Sequence, residues 1–130
     1  MDMSNCIFCA IAAGEIPCYK IYEDDLFVGF LDIHPRVLGH TLLIPKHHAK
    51  WVYDVPEFDK YWLAALKITN AYKKFFKTEF ITYGTHGLEV PHAHIHIMPR
   101  SGDSDYFPEK EIKISSEEME KLAADIRALI

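Results

Sequence analysis

The hydrophobic positions change their period several times along the chain, and each change marks an element. From Cys6 to Gly14 the run Cys-Ile-Phe-Cys-Ala-Ile-Ala-Ala-Gly has the length of a short helix closed by Gly14, and Ile16-Pro17 then forces an extended exit. Tyr19 to Glu23, Leu26 to Leu31 and His40 to Pro45 are short β-branched or aromatic runs, separated by turn chemistry at Glu23-Asp24-Asp25 and at Pro35 to Gly39, and they predict a meander of three strands. Between Val55 and Lys77, apolar residues at Phe58, Trp62, Leu63, Leu66, Ile68, Ala71, Tyr72, Phe75 and Phe76 recur at steps of three and four, as one face of a long helix opened by Asp54 or Pro56 does. Phe80 to Tyr83 and Val90 to Met98 read as two further strands joined across Gly84-Thr85-His86-Gly87. Ser115-Ser116-Glu117-Glu118 resembles a capping box ahead of an amphipathic run through Met119, Leu122, Ala123, Ile126 and Leu129.

These elements predict an α+β domain spanning residues 1–130: a mostly antiparallel sheet of about five strands, a short N-terminal helix, a long central helix and a C-terminal helix. Residues 103–130 form an acidic extension carrying the last helix. A chain of 130 residues buries enough surface to hold a core without staples. Its net charge of −5 argues against a nucleic-acid or polybasic membrane surface. From Asp103 to Ile130 there are 8 acidic and 4 basic residues, which leaves the preceding part nearly neutral and open to a small anionic ligand. No basic stretch precedes an apolar core at the amino terminus and no apolar run approaches the ~20 residues of a membrane span, so a cytoplasmic protein is expected. Three cysteines fit a reducing compartment better than a disulfide framework.

The rarer chemistry is unevenly placed. All eight histidines fall between His34 and His96, and all three cysteines between Cys6 and Cys18. In Val90-Pro91-His92-Ala93-His94-Ile95-His96-Ile97-Met98 the alternation places His92, His94 and His96 on one face of a strand, with Ala93, Ile95 and Ile97 facing the core. One reading is a solvated, histidine-rich face. A second is a hydrolytic metal site in which two neighbouring histidines, such as His92 and His94, share a zinc ion. A third uses one neutral imidazole as a nucleophile at phosphorus, with its neighbours holding or protonating the atoms around it.

The stretch His92 to Met98 resembles the signature of the histidine-triad nucleotide hydrolases and transferases, His-x-His-x-His followed by two hydrophobic residues. The resemblance extends through Cys6-Ile7-Phe8-Cys9, Gly14-Glu15-Ile16-Pro17, Phe30-Leu31-Asp32-Ile33, Gly39 to Lys46, and Gly87. It implies that His94 is the nucleophile at an α-phosphorus, that His40 helps balance protons, and that His96 contacts the phosphate and leaving-group oxygens. A histidine rather than a glutamine at position 96 places the chain with the hydrolase branch. The resemblance also implies that Asp32 holds the ribose, a task suited to a carboxylate facing a cis-diol, that Ile7, Phe8, Ile11, Phe30 and Ile33 are candidates for an apolar base slot, and that the protein is a homodimer burying Trp62 and Phe58. The expected substrates are purine nucleotide phosphoramidates or dinucleoside polyphosphates. A nucleotide-binding regulator with weak activity and a zinc-dependent hydrolase are the alternatives.

One region departs from the family pattern, Asn-x-Gly-x-x-x-Gly-Gln-x-Val. Here Ile81 to Val90 keeps Gly87 and Val90, but the phosphate-contacting glutamine is replaced by Leu88, which cannot donate a hydrogen bond, and Glu89 would repel a phosphate if it pointed inward. Backbone amides of the Gly84 to Glu89 turn are expected to compensate. The family likeness further implies a structural zinc held by Cys6, Cys9, His48 and His92, with His47 as the adjacent alternative to His48. Four such ligands close the tetrahedron and leave no position for a reacting water. His34 and His86 fall in loops and are assigned no chemistry, and Cys18 has no visible partner.

Overall fold

The computed structural model describes residues 5–100 and 110–130. Helix α1 (Ile7–Ala12) starts where Cys6 Sγ accepts the Cys9 amide at 3.3 Å. It ends at Gly14, whose φ of +79° lets Gly14 N–H reach the Ile11 carbonyl and Glu15 N–H the Ala10 carbonyl, the pair of bonds that closes a Schellman motif. Strands β1 (Lys20–Glu23), β2 (Phe27–Leu31) and β3 (Thr41–Pro45) follow as an antiparallel meander. A short 3₁₀ turn at Val52–Asp54 leads to α2 (Phe58–Phe75), then β4 (Phe80–Gly84), β5 (Ile95–Arg100) and α3 (Ser116–Arg127). The five strands form one sheet in the order β1-β2-β3-β5-β4, with every neighbouring pair antiparallel.

Strands β2 and β3 are buried along their whole length because the sheet is covered on both faces. Phe27, Leu31, Leu43, Ile95 and Ile97 face α2 and α3 in the larger core. Val28, Phe30, Leu42 and Ile44, on the alternate positions, pack with Cys6 and Phe8 of the α1 side. Leu42 lies opposite His96 in the β3–β5 ladder, so the His96 side chain shares the α1 face.

Two expectations need correction. The histidine segment is not a continuous strand: β5 begins only at Ile95. Pro91 has no N–H to give a ladder, His92 N–H bonds back to the Val90 carbonyl at 2.8 Å, and Ala93 N–H leaves the sheet for the Ala49 carbonyl at 2.7 Å. His92 and His94 therefore precede the strand, although Ala93, Ile95 and Ile97 do enter the core. The long helix is also rotated relative to its expected face. It buries Tyr61, Ala64, Ala65, Ile68, Thr69 and Tyr72, while Phe58, Leu63 and Leu66 remain exposed. Tyrosine can occupy this core face because the Tyr61 hydroxyl donates to the Leu43 carbonyl at 2.6 Å and the Tyr72 hydroxyl pairs with Thr41.

The capping box at Ser115 and Glu118 is formed in both directions. Met119, Ala123 and Ile126 of α3 are buried in the larger core, and the Arg127 guanidinium bonds the Lys20 carbonyl at 2.6 Å. The last helix thus belongs to the same core as the sheet; residues 101–109, which include the start of the acidic extension, lie outside the described residues. Among the described residues no helix is long and apolar enough to cross a membrane. Because Ile126 is fully buried, Ile126→Ala is expected to cost about 2–5 kcal/mol in urea unfolding. Leu129→Ala, at a half-exposed position, should change stability by less than about 0.5 kcal/mol, and equally small losses for both would place α3 outside the cooperative core.

Candidate functional site

Two groups of chemistry-bearing side chains meet on the α1 face of the sheet, and His92 belongs to both. The first group comes from α1, the loop after β3, and the segment before β5. Residues three apart on one helical turn bring Cys6 and Cys9 together. His92 Nδ1 lies 3.3 Å from Cys6 Sγ and 3.4 Å from Cys9 Sγ, and His48 Nδ1 lies 3.2 Å from Cys9 Sγ. A ligand atom from each of the four residues falls within 4.8 Å of every other. The Pro45 carbonyl, 2.9 Å from His92 Nε2, can only accept, so His92 carries its proton on Nε2 and turns the Nδ1 lone pair towards the thiols. Burial, followed by repulsion from His48 and His94, holds the His92 imidazole down to about 4 against the support of the Pro45 carbonyl, which keeps the ring neutral.

Without a metal, burial and the neighbouring Cys6 push the Cys9 thiol up to about 11. His48 Nε2 is a buried nitrogen with no hydrogen-bond partner among the described residues. Two thiols and two imidazoles converging in this way are a donor set that fits a tetrahedral Zn²⁺ ion, with the Pro45 carbonyl orienting one ligand from behind. His47 is exposed and stands apart from the four.

The second group lies towards the carboxyl end of β2 and the start of β3 and β5. His94 Nδ1 is 2.8 Å from the His92 carbonyl, which must be the acceptor, so the free Nε2 carries the lone pair. Desolvation lowers the His94 pKa, opposed by that same backbone bond. His40 Nδ1 accepts the Arg36 amide at 3.0 Å, which leaves the His40 proton on Nε2, 2.9 Å from His96 Nδ1 and 3.5 Å from Asp32 Oδ2. His96 Nδ1 is then an acceptor and its own proton sits on Nε2. Burial first, then repulsion from His40 and His94, holds His96 down to about 3. Asp32, His40 and His96 also offer three ligand atoms within 4.8 Å of one another. The Arg36 amide nevertheless keeps a proton on the very nitrogen of His40 that a cation there would need.

Phe8 stands edge-on to His94 at 5.2 Å between ring centroids and to Phe30 at 5.7 Å, and Ile11 packs into the same cluster. Phe8 and Phe30 are buried, whereas Ile7 and Ile33 are exposed. Gly87 is buried, and a Cβ there would come within 2.7 Å of His94 Cε1, so the turn passes the imidazole at a distance only glycine permits. Leu88 is 85% exposed and Glu89 is exposed as well, so neither side chain is packed against the histidines.

The family of a fold is decided here by the match to a HIT domain over residues 13–103. This chain is a HIT domain protein. It is 37% identical over 102 residues to the adenosine 5'-monophosphoramidase HNT1 of Saccharomyces cerevisiae, covering 73% of this chain and 62% of that protein. The solved structure of a Hit-like protein from Bartonella henselae, described as involved in cell-cycle regulation, has a TM-score of 0.88 at 35% identity and covers 100% of this chain and 98% of its own. A Zn-bound histidine triad family protein from Mycobacterium smegmatis has a TM-score of 0.81 at 30% identity, covering 98% and 94%.

Within this HIT domain the identity of the backbone partners comes from the fold rather than from residue types. The carbonyls of Pro45 and His92 and the amide of Arg36 set three imidazole tautomers, and backbone groups carry no signature in a sequence. His86, a loop residue near the expected phosphate turn, has its ring stacked on His96 at 5.6 Å with 22° between the planes. His34 instead meets Glu111 at 3.3 Å on the surface.

The neutral imidazoles make stability depend on pH with a definite sign. In the unfolded chain His96 titrates near the ordinary value of ~6.5, so its contribution is fully present above that pH and is lost as the pH falls towards about 3. The unfolding free energy of metal-free protein should therefore decline between pH 7 and 4, and less steeply in His96→Asn. Parallel declines in the two proteins would show that His96 takes up its proton in the folded state without penalty.

Proposed function

We propose that the protein hydrolyses nucleotide conjugates at the α-phosphorus, cleaving P–N bonds of nucleoside phosphoramidates or P–O bonds of phosphoanhydrides such as dinucleoside polyphosphates, through a nucleotidyl-histidine intermediate on His94. The observation that carries this reading is the bond between His94 Nδ1–H and the His92 carbonyl, which presents a neutral Nε2 lone pair and stabilises the positive charge that grows on the ring during attack. His94 Nε2 bonds to phosphorus as the bond to the leaving group breaks. The leaving atom takes the His96 Nε2 proton as it departs, while the His40 Nε2–H accepted by His96 Nδ1 holds that ring in place. Water then supplies a hydroxyl to phosphorus and a proton to His96 Nε2, releasing the nucleoside monophosphate and restoring neutral His94 and His96.

Asp32 is the ribose-binding carboxylate in this reading, Phe8, Ile11 and Phe30 back the base slot with Ile7 and Ile33 at its margin, and the backbone of Gly87, Leu88 and Glu89 faces the phosphate. The purine preference follows the yeast relative, whose substrate class is adenosine 5'-monophosphoramidate. The Leu88 and Glu89 side chains are exposed, so in this reading the phosphate contact falls to the backbone amides of the turn.

Cys6, Cys9, His48 and His92 would hold a zinc ion. When bound, the ion supplies cross-linking of α1, the loop after β3 and the histidine segment, with no open coordination position. A zinc hydrolase centred on His92 and His94 is disfavoured because one His92 nitrogen donates to Pro45 and the other faces the cysteines. Incubating the protein with adenosine 5'-phosphoramidate should give AMP at a rate that falls at least about 10³-fold in His94→Ala. Brief chelation that strips zinc, followed by elemental analysis, should leave most of this activity while the fold persists; complete loss with a retained fold would transfer the chemistry to a metal.

A homodimer completes the reading. Edge strand β4 and α2 expose a continuous aromatic row, with Phe58 and Trp62 rings 6.3 Å apart and Trp62 and Tyr83 rings 5.5 Å apart. Phe58 and Tyr83 are each more than two-fifths exposed, a patch suited to burial against a second copy. Light scattering should report twice the chain mass for the wild type and a monomer for Trp62→Glu.

A further inference from the structure

The proposed hydrolysis leaves one imidazole beside the reacting groups without a task. His86, in the turn between β4 and the histidine segment, is exposed, and its ring is stacked on His96 at 5.6 Å between centroids and 22° between planes. The His96 ring in turn lies 5.0 Å from His94 and 5.1 Å from His40. His86 therefore extends the imidazole array outward from the side of the leaving-group donor. Behind burial, which is the leading cause, it is among the neighbours that hold the His94 and His96 imidazoles below their ordinary values.

Among the described residues, the other charged side chains named with this array have partners elsewhere or the wrong sign. The Arg36 guanidinium, which also acts on His96, donates one N–H to the His34 carbonyl at 2.8 Å and lies 3.8 Å from Glu111. Asp32 is an acceptor already bonded to the His34 amide, Glu89 is an exposed anion, and Leu88 has no donor. Neither ring nitrogen of His86 is hydrogen-bonded to another described residue. The stack sets the His86 ring, with its N–H donor, against the ring assigned to the leaving group.

We propose that His86 is a specificity residue that recognises an anionic leaving group, donating an N–H to a phosphate or sulfate attached beyond the α-phosphorus, and so favours nucleotide anhydrides over nucleotide amides. This rests on the hydrolase reading given above. A charge-assisted hydrogen bond to an anionic oxygen is roughly twice as strong as a neutral one, and an amine leaving group offers no such oxygen. The effect is thus differential: it acts on one substrate class and cancels for the part of the nucleotide both classes share.

The test compares kcat/KM for adenylyl sulfate with kcat/KM for adenosine 5'-phosphoramidate, and in parallel the Kd of ADP with that of AMP by calorimetry. His86→Ala should lower the sulfate-to-amide ratio about tenfold and reduce the preference for ADP over AMP by about five- to tenfold. His86→Arg, which keeps N–H donors at this position, should keep both ratios within about threefold of wild type. An equal loss on both substrates in His86→Ala would show that the ring only supports His96, and unchanged ratios, or a wild type that binds ADP no better than AMP, would overturn the proposal. Absence of His94-dependent turnover with either substrate would defeat the hydrolase reading alone, because the affinity ratio still decides the role of His86.

Discussion

The hydrogen bond from His94 Nδ1 to the carbonyl of His92 is the constraint on which both halves of the site depend, because His92 contributes its backbone to one half and its ring to the other. The carbonyl sets the tautomer of His94, while the ring, oriented by Pro45, turns a lone pair to Cys6 and Cys9. The position of the cysteine cluster and the position of the candidate nucleophile are thus coupled through a single residue. A fully buried imidazole cannot turn to serve one of these partners without releasing the other, since each unsatisfied buried nitrogen costs on the order of 1–3 kcal/mol.

That arrangement requires the chain to leave the sheet just before β5. If the histidines continued the ladder from Val90, all three side chains would stand in a row on one face. The proline at 91 and the bond from Ala93 to Ala49 bend the segment instead, so that His92 descends to α1 while only His96 remains a strand residue. The two-sided burial of β2 and β3 then separates labour between the faces: the α2 and α3 side supplies most of the apolar core, and the α1 side carries the polar chemistry.

The charge state of this array follows from burial more than from any one partner. Desolvation is the leading cause for His92, His94 and His96 alike, and repulsion among neighbouring rings acts in the same direction. Several imidazoles can crowd together only if nearly all of them are neutral. Neutral rings are directional, each with one donor and one acceptor, and the chain from Arg36 through His40 to His96 assigns every nitrogen along it. An array of this kind can bring lone pairs and N–H donors to a phosphate without a basic surface, in keeping with the nearly neutral composition of the chain ahead of its acidic end.

Local rules were legible in the sequence wherever neighbours along the chain determine them. The helix stop at Gly14, the capping box at Ser115 and Glu118, the meander of β1 to β3, the inward turn of Ala93, Ile95 and Ile97, and the grouping of Cys6 with Cys9 all follow from spacing of two, three or four residues. The tertiary structure decided what spacing cannot. The buried face of α2 depends on hydroxyl acceptors in β3 and on which apolar stripe meets the sheet. The start of β5 depends on Ala49, more than forty residues away, and the stack of His86 on His96 depends on the path of a turn past Gly87. Residue types could nominate the imidazoles, but hydrogen-bond direction belongs to pairs of groups, and only the folded chain brings those pairs within reach.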